Sequence, residues 1–188
     1  MLRKAIVSTA CVTLLMAGAC NRDYDAGSVA DRTAGAESVD QQFVQKAALD
    51  NLGEIQLGRL ATNRAESPAV KQFAESVVED HTKALDALTT AAGQSGTQVT
   101  RELDDKHREI HERLSKLQGA EFDREYMKTM VQAHEDAVDM LEDRAEHAPR
   151  AAGAAVESAE GRVNQWAADT LPVVQTHLQQ ARQISGRL

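Results

Sequence analysis

Val70, Phe73, Val77, Ala84 and Leu88 recur at intervals of three, four or seven residues, and His81 is the polar interruption on that stripe. The rhythm predicts an amphipathic helix whose stripe turns inward. Similar spacing recurs through the rest of the chain, and no stretch alternates apolar and polar residues as a half-buried strand does. Helix boundaries come from capping and breaking residues. Ser38 and Gln41 form a capping-box pattern ahead of Phe43 and Val44, predicting a first helix from Ser38 to about Ala65. Ser67 followed by Pro68 predicts a second that ends at Ala92, before Gly93 and the segment "GQSGT". A shorter charged helix is predicted between Thr100 and Gln118, a long one from about Ala120 to His147, and a last one from about Ser158 to Ile184 with a bend at Pro172.

Four long helices and one short one predict an all-α four-helix bundle. The first two are joined by almost nothing and must form an antiparallel hairpin. The link between the second and third long helices carries its own helix of roughly 27 Å, at about 1.5 Å per residue, enough to return the chain along the bundle. This predicts two hairpins joined by a long helical crossover, the ferritin-like arrangement, with residues 38–188 as the bundle domain. Residues 20–37 are polar, small and aperiodic, and read as a flexible tether.

Residues 1–19 read as a secretory leader: Arg3 and Lys4, an apolar run, then small residues up to Cys20. The run is too short to span a bilayer. Two processing routes fit. Ala17 and Ala19 suit cleavage of a soluble exported protein, whereas a cysteine after small residues resembles the lipid-attachment site of bacterial lipoproteins, with Ala17 standing where that pattern prefers leucine. Once Cys11 leaves with the leader, Cys20 is the remaining cysteine of the chain, and acylation accounts for an unpaired exported thiol. The expectation is a periplasmic protein lipid-anchored at Cys20, with Asn21 compatible with the outer membrane.

Composition narrows the function classes. The formal net charge of -8 becomes more negative once Arg3 and Lys4 are removed, and no basic stripe offers itself to nucleic acid. Aromatic residues are only 3% of the chain, so the core must be built mainly from Ala, Leu and Val. No nucleophile elbow, phosphate loop or dinucleotide fingerprint is present, and nothing specifies an enzyme.

Three blocks, "FVQKAALDNLGEIQLGRLATNRAESPAVKQFAESVVEDH", "GAEFDREYMKTMVQAH" and "LPVVQTHLQQA", resemble an exported bacterial family of ferritin-like proteins, domain of unknown function 4142. The similarity runs from about Phe43 to Ala181. It implies the fold and export, and its matching positions are Glu54, His81, the Phe122–Asp123 pair, His134 and His177. The family brings no secure activity with it.

The same residues stand out from helical spacing. Glu54 shares a face with Ala47, Gly58, Ala61 and Ala65. His134 lies with Met127, Met130, Ala137 and Leu141, and His177 with Trp166, Val173, Ala181 and Ile184. Each long helix thus offers one metal-competent side chain near its middle. Glu54, His81, His134 and His177 together predict a site for Zn, Cu, Fe or Ni. The alternative is a hydrogen-bonded layer of neutral histidines paired with Glu54, Asp123, Tyr126 or backbone carbonyls, serving an interaction module. Neutral buried histidines would also make the bundle pH-responsive. Valines precede the three histidines by three residues, where di-iron bundles carry glutamate, which argues against a di-iron centre. Met127 and Met130 are expected as core, and Asp104, His107 and His111 as a solvated face whose "HREIH" lacks the metalloprotease glutamate.

Overall fold

The computed structural model describes residues 27–93, 97–148 and 158–188, with side chains from Gln41 onward. Five helices follow in order: α1 Gly27–Arg64, α2 Pro68–Gly93, α3 Asp105–Ser115, α4 Gly119–Ala145 and α5 Ala159–Ser185. Among the described residues there is no strand, and no helix is long and apolar enough to cross a membrane. Residues 1–19, which the sequence suggests are a leader, lie outside the described residues, as do Cys20 and Asn21.

α1 starts at Gly27, so Ser38 lies within the helix and residues 27–37 are helical where the sequence suggested a tether. The segment contains no proline and is rich in alanine, and a capping-box pattern starts a helix only where something upstream interrupts it. α2 begins at Pro68 as expected. α3 is shorter than predicted: its 11 residues cover roughly 16 Å, and residues 97–104 before it are neither helix nor strand. Asp104 caps α3 by accepting from the His107 amide at 2.9 Å. Thr100 N–H donates to Gln45 Oε1 at 3.2 Å, tying that segment to α1. The turn into α4 places Gly119 at φ 58, where a side chain would be strained.

The bundle helices stand in the order α1, α2, α5, α4 around a square, with α3 laid over α1 and α4. One apolar cluster joins Leu57 and Ala61 of α1 with Phe73 and Val77 of α2, Phe122, Tyr126 and Met130 of α4, and Ala181 of α5. The other joins Val44 and Ala48 with Leu88, Leu141, Trp166 and Val174. α4 therefore starts beside the α1–α2 turn and runs parallel to α2, so the chain must travel back along the bundle between them. That return path is the predicted crossover. α1 approaches α2 at Gly58, where an added Cβ would fall 2.6 Å from Val78 Cγ2. α5 docks on α2 through Trp166, whose indole N–H donates to the Ala84 carbonyl at 2.8 Å. α5 continues helically through Pro172.

Candidate metal centre

Between the two apolar clusters lies a polar layer. Glu54 of α1, His81 of α2, His134 of α4 and His177 of α5 are all buried, with His134 fully so at 0% exposure. The four meet at one level because each lies near the middle of the packed part of its helix. The imidazole centroids are 5.4 to 5.6 Å apart, forming a nearly equilateral triangle. Phe73 closes its lower side at 6.1 Å from His134 and 6.0 Å from His177.

Hydrogen bonding determines which ring nitrogen of each histidine is free. His81 Nδ1 lies 2.8 Å from Glu54 Oε2 and 3.1 Å from Asn51 Oδ1. His134 Nδ1 lies 2.9 Å from the Met130 carbonyl oxygen. His177 Nε2 lies 3.2 Å from Asp80 Oδ2. Every partner is an acceptor, so each of these nitrogens carries the proton. In the neutral rings the lone pairs then fall on His81 Nε2, His134 Nε2 and His177 Nδ1. Those three atoms are buried and have no hydrogen-bond partner. Each histidine offers one ring nitrogen, and the three offered nitrogens lie within 4.8 Å of one another.

Glu54 stands behind this triangle. Its carboxylate faces the protonated side of His81 and approaches His134 Nδ1 at 3.8 Å. Burial pushes the Glu54 carboxyl up, but in the acid range where it titrates the charges of His81, His134 and His177 and the His81 hydrogen bond outweigh that and hold it at about 2. His81 responds in kind: burial disfavours its charged form, and the Glu54 carboxylate more than compensates, so its pKa is raised. Burial lowers His134, with Glu54 opposing. His177 falls to about 4 through burial and repulsion from the other two histidines, against the pull of Asp80. The metal-free layer at neutral pH is thus an ion pair, Glu54 and His81, beside two neutral imidazoles. The Tyr126 hydroxyl is also buried without a partner, and burial followed by the Glu54 charge pushes its pKa up.

Other candidates are placed elsewhere. Asp123 does not join the histidines: its carboxylate accepts from the amides of Glu66 at 3.1 Å and Ser67 at 2.7 Å, holding the α1–α2 turn. Met127 and Met130 are core residues. His107 is not on a solvated face, since its ring sits against Gly53 of α1 and bonds Asp104 Oδ1 at 2.6 Å, with Asp50 Oδ1 at 3.5 Å. The notch at Gly53 admits a ring that the charged sequence around His107 does not foretell. Sequence reasoning also missed Asn51 and Asp80. Asn51 precedes Glu54 by one helical turn on the same face, a detectable signal. Asp80 adjoins His81 but turns toward α5, which only the packing reveals.

The family described as "Domain of unknown function (DUF4142)" matches residues 26–184, covering every element of the bundle. The chain belongs to this family. DUF4142 carries no assigned activity in that description, so the site has to be read from its own chemistry. Among solved structures, a crystal structure of a DUF305 fragment from Deinococcus radiodurans is similar, with a TM-score of 0.63 and 16% identity over 79% of this chain and 95% of that one. At that identity the likeness concerns the fold alone. No curated protein matches the chain.

Proposed function

We propose that this DUF4142 domain binds one transition-metal ion in its bundle core through His81, His134 and His177. The observation that carries the reading is the set of three buried ring nitrogens without partners, each opposite an acceptor bound to the other side of its ring, so that each carries the lone pair once its ring is neutral. Metal-bound histidines usually donate their second N–H to a carboxylate or carbonyl, which fixes tautomer and orientation. Glu54, the Met130 carbonyl and Asp80 supply those acceptors. Ligand nitrogens in a tetrahedral site with bonds of about 2.0–2.1 Å stand roughly 3.4 Å apart, so modest ring rotations bring the triangle to bonding geometry. The donor set suits Zn, Cu, Fe or Ni, and Glu54 offsets part of the ion's charge from the outer side. Glu54 is the one buried carboxylate of the layer, Asp80 being 35% exposed, and that supports a mononuclear site over a di-iron one. The envelope is the setting we propose, supported by the leader-like residues 1–19 and by Cys20 as a lipid-attachment point.

Elemental analysis of the mature chain, purified without a metal-affinity tag, tests the centre. The expected result is close to one ion per chain, lost in a folded variant carrying His81→Ala and His134→Ala. A metal-free parent whose melting temperature is unmoved by added Zn, Cu, Fe or Ni would turn the layer into a hydrogen-bonded core network and the domain into an interaction module.

A further inference from the structure

Of the three histidines, His177 is the one whose hydrogen-bond partner reaches solvent. The Asp80 side chain is 35% exposed, whereas His81 leans on Glu54 at 5% and His134 on a carbonyl of its own helix. A cavity of about 420 Å³ opens over the Asp80–His177 pair in the α2–α5 seam, bordered by Ser76, Pro172, Thr176 and Gln180. The opposite flank differs. There a hollow of about 50 Å³ touches Glu54 from the α1–α3 side, and the His107 ring, seated against Gly53, helps to close it.

We propose that the ion enters and leaves through the α2–α5 seam, captured first by the Asp80 carboxylate and carried inward by His177, while the α1–α3 flank stays shut. The inference rests on the metal-binding reading above. A hydrated divalent ion sheds water stepwise, and the anionic oxygen at the mouth offers its first replacement ligand where, of the three imidazoles, only His177 borders the cavity. The bond between His177 and Asp80, at 3.2 Å, is long for a contact to a carboxylate and can be given up as the ring turns. Asp80 therefore has two tasks, holding the His177 ring when the site is closed and receiving the ion when it opens.

The test is stopped-flow binding of Co(II), followed by its visible absorption, on the full mature chain as parent, Asp80→Asn and Thr176→Trp. Asp80→Asn removes the capturing charge, and Thr176→Trp fills the mouth from an exposed position of α5. Electrostatic capture is worth about 10- to 1000-fold in on-rate and falls with ionic strength. The expected result is association and dissociation both slowed about tenfold or more in each variant, affinity changed far less, and the salt dependence of association lost in Asp80→Asn. Two variants that bind Co(II) at the parental rate would overturn the route. So would an Asp80→Asn variant with weaker affinity but an unchanged association rate, which would leave Asp80 a positioning residue for His177. A parent that binds neither Co(II) nor Zn(II) overturns the metal centre itself, a result distinguishable from both.

Discussion

Replacing Glu54 by glutamine isolates the work of the buried charge. Glu54→Gln keeps the size and an acceptor for His81 Nδ1–H but removes the negative charge. In the parent, burial opposes ionisation, yet the surrounding histidines bring the carboxyl from 4.5 to about 2. At about 1.4 kcal/mol per pH unit, a displacement of that size corresponds to about 3 kcal/mol. The raised pKa of His81 is the same pair seen from its partner and is not added. His81 gives up its proton in the variant, so no uncompensated charge stays behind. The expected cost to the metal-free domain at neutral pH, where of the three histidines only His81 is charged, is smaller, about 1–2 kcal/mol, or a melting temperature lower by roughly 3–7 °C for a domain of this size. The sign of the pH dependence sharpens the test. His81 is raised, so its stabilisation is complete below the unfolded value of 6.5 and is lost as pH rises through the folded value. Glu54 is lowered, so its share is present above 4.5 and is lost only as pH falls toward about 2. Circular-dichroism melts of chelator-treated protein between pH 5 and 9 should show an alkaline decline in the parent and little of it in Glu54→Gln. Equal alkaline slopes in the two proteins would refute the ion pair, and so would a variant as stable as the parent at pH 7.

Three further outcomes follow from the same geometry. His134 and His177 are lowered, so the unfolded chain takes up their protons first: stability of the metal-free domain should fall from pH 6.5 toward about 4, by about 2 kcal/mol for His177 after discounting for the solvent near Asp80, and a flat urea midpoint across that range would contradict it. Metal binding near neutral pH should release close to one proton, because His81 must give up the proton on Nε2, and calorimetry in buffers of different ionisation enthalpy should show it; buffer-independent heats would count against it. Gly53→Ala drives a methyl group into the His107 ring and should cost about 1–3 kcal/mol by displacing α3 from α1, with a loss below about 0.5 kcal/mol in urea unfolding as the contrary result.

Much of this fold is legible in the sequence because its helices carry strong local signals. Pro68 starts α2 where a proline can, Ser158 caps α5 through its bond to the Gly161 amide, and the short link from α1 to α2 permits only a hairpin. The start of α1 was not legible, since Ser38 reads as a cap only if the helix is assumed to begin there. At the site, helical spacing identified Glu54, His81, His134 and His177 as members of one layer. It could not say which side of each ring faces the centre. That depends on side-chain rotation, and the structure answers it by setting Glu54 against Nδ1 of His81 rather than among the three free nitrogens. Asp80 and His107 stayed hidden for a related reason: each looks like one more charge on a charged helix until a neighbouring element is laid against it.

A layer that served only to set the register of the helices would be expected to satisfy itself. Part of this one does, as Asn51 Nδ2 donates to the Ala47 carbonyl at 2.7 Å and Glu54 and His81 pair, and away from the layer the N–H groups of Glu66 and Ser67 in the α1–α2 turn donate to the Asp123 carboxylate of α4. Register is therefore already specified at two heights of the bundle without His134 and His177. Those two rings add buried nitrogens that accept nothing, and an unsatisfied buried polar group costs about 1–3 kcal/mol. Leucine at either position would be cheaper for packing alone. The protonated His81 relieves some of that cost by bringing a positive charge to the triangle, which is also what a bound cation would bring. The metal-free state is on this view a proton-filled form of the same centre: the Glu54 carboxylate holds the proton on His81 and burial keeps its two neighbours neutral, and a bound ion would take that proton's place.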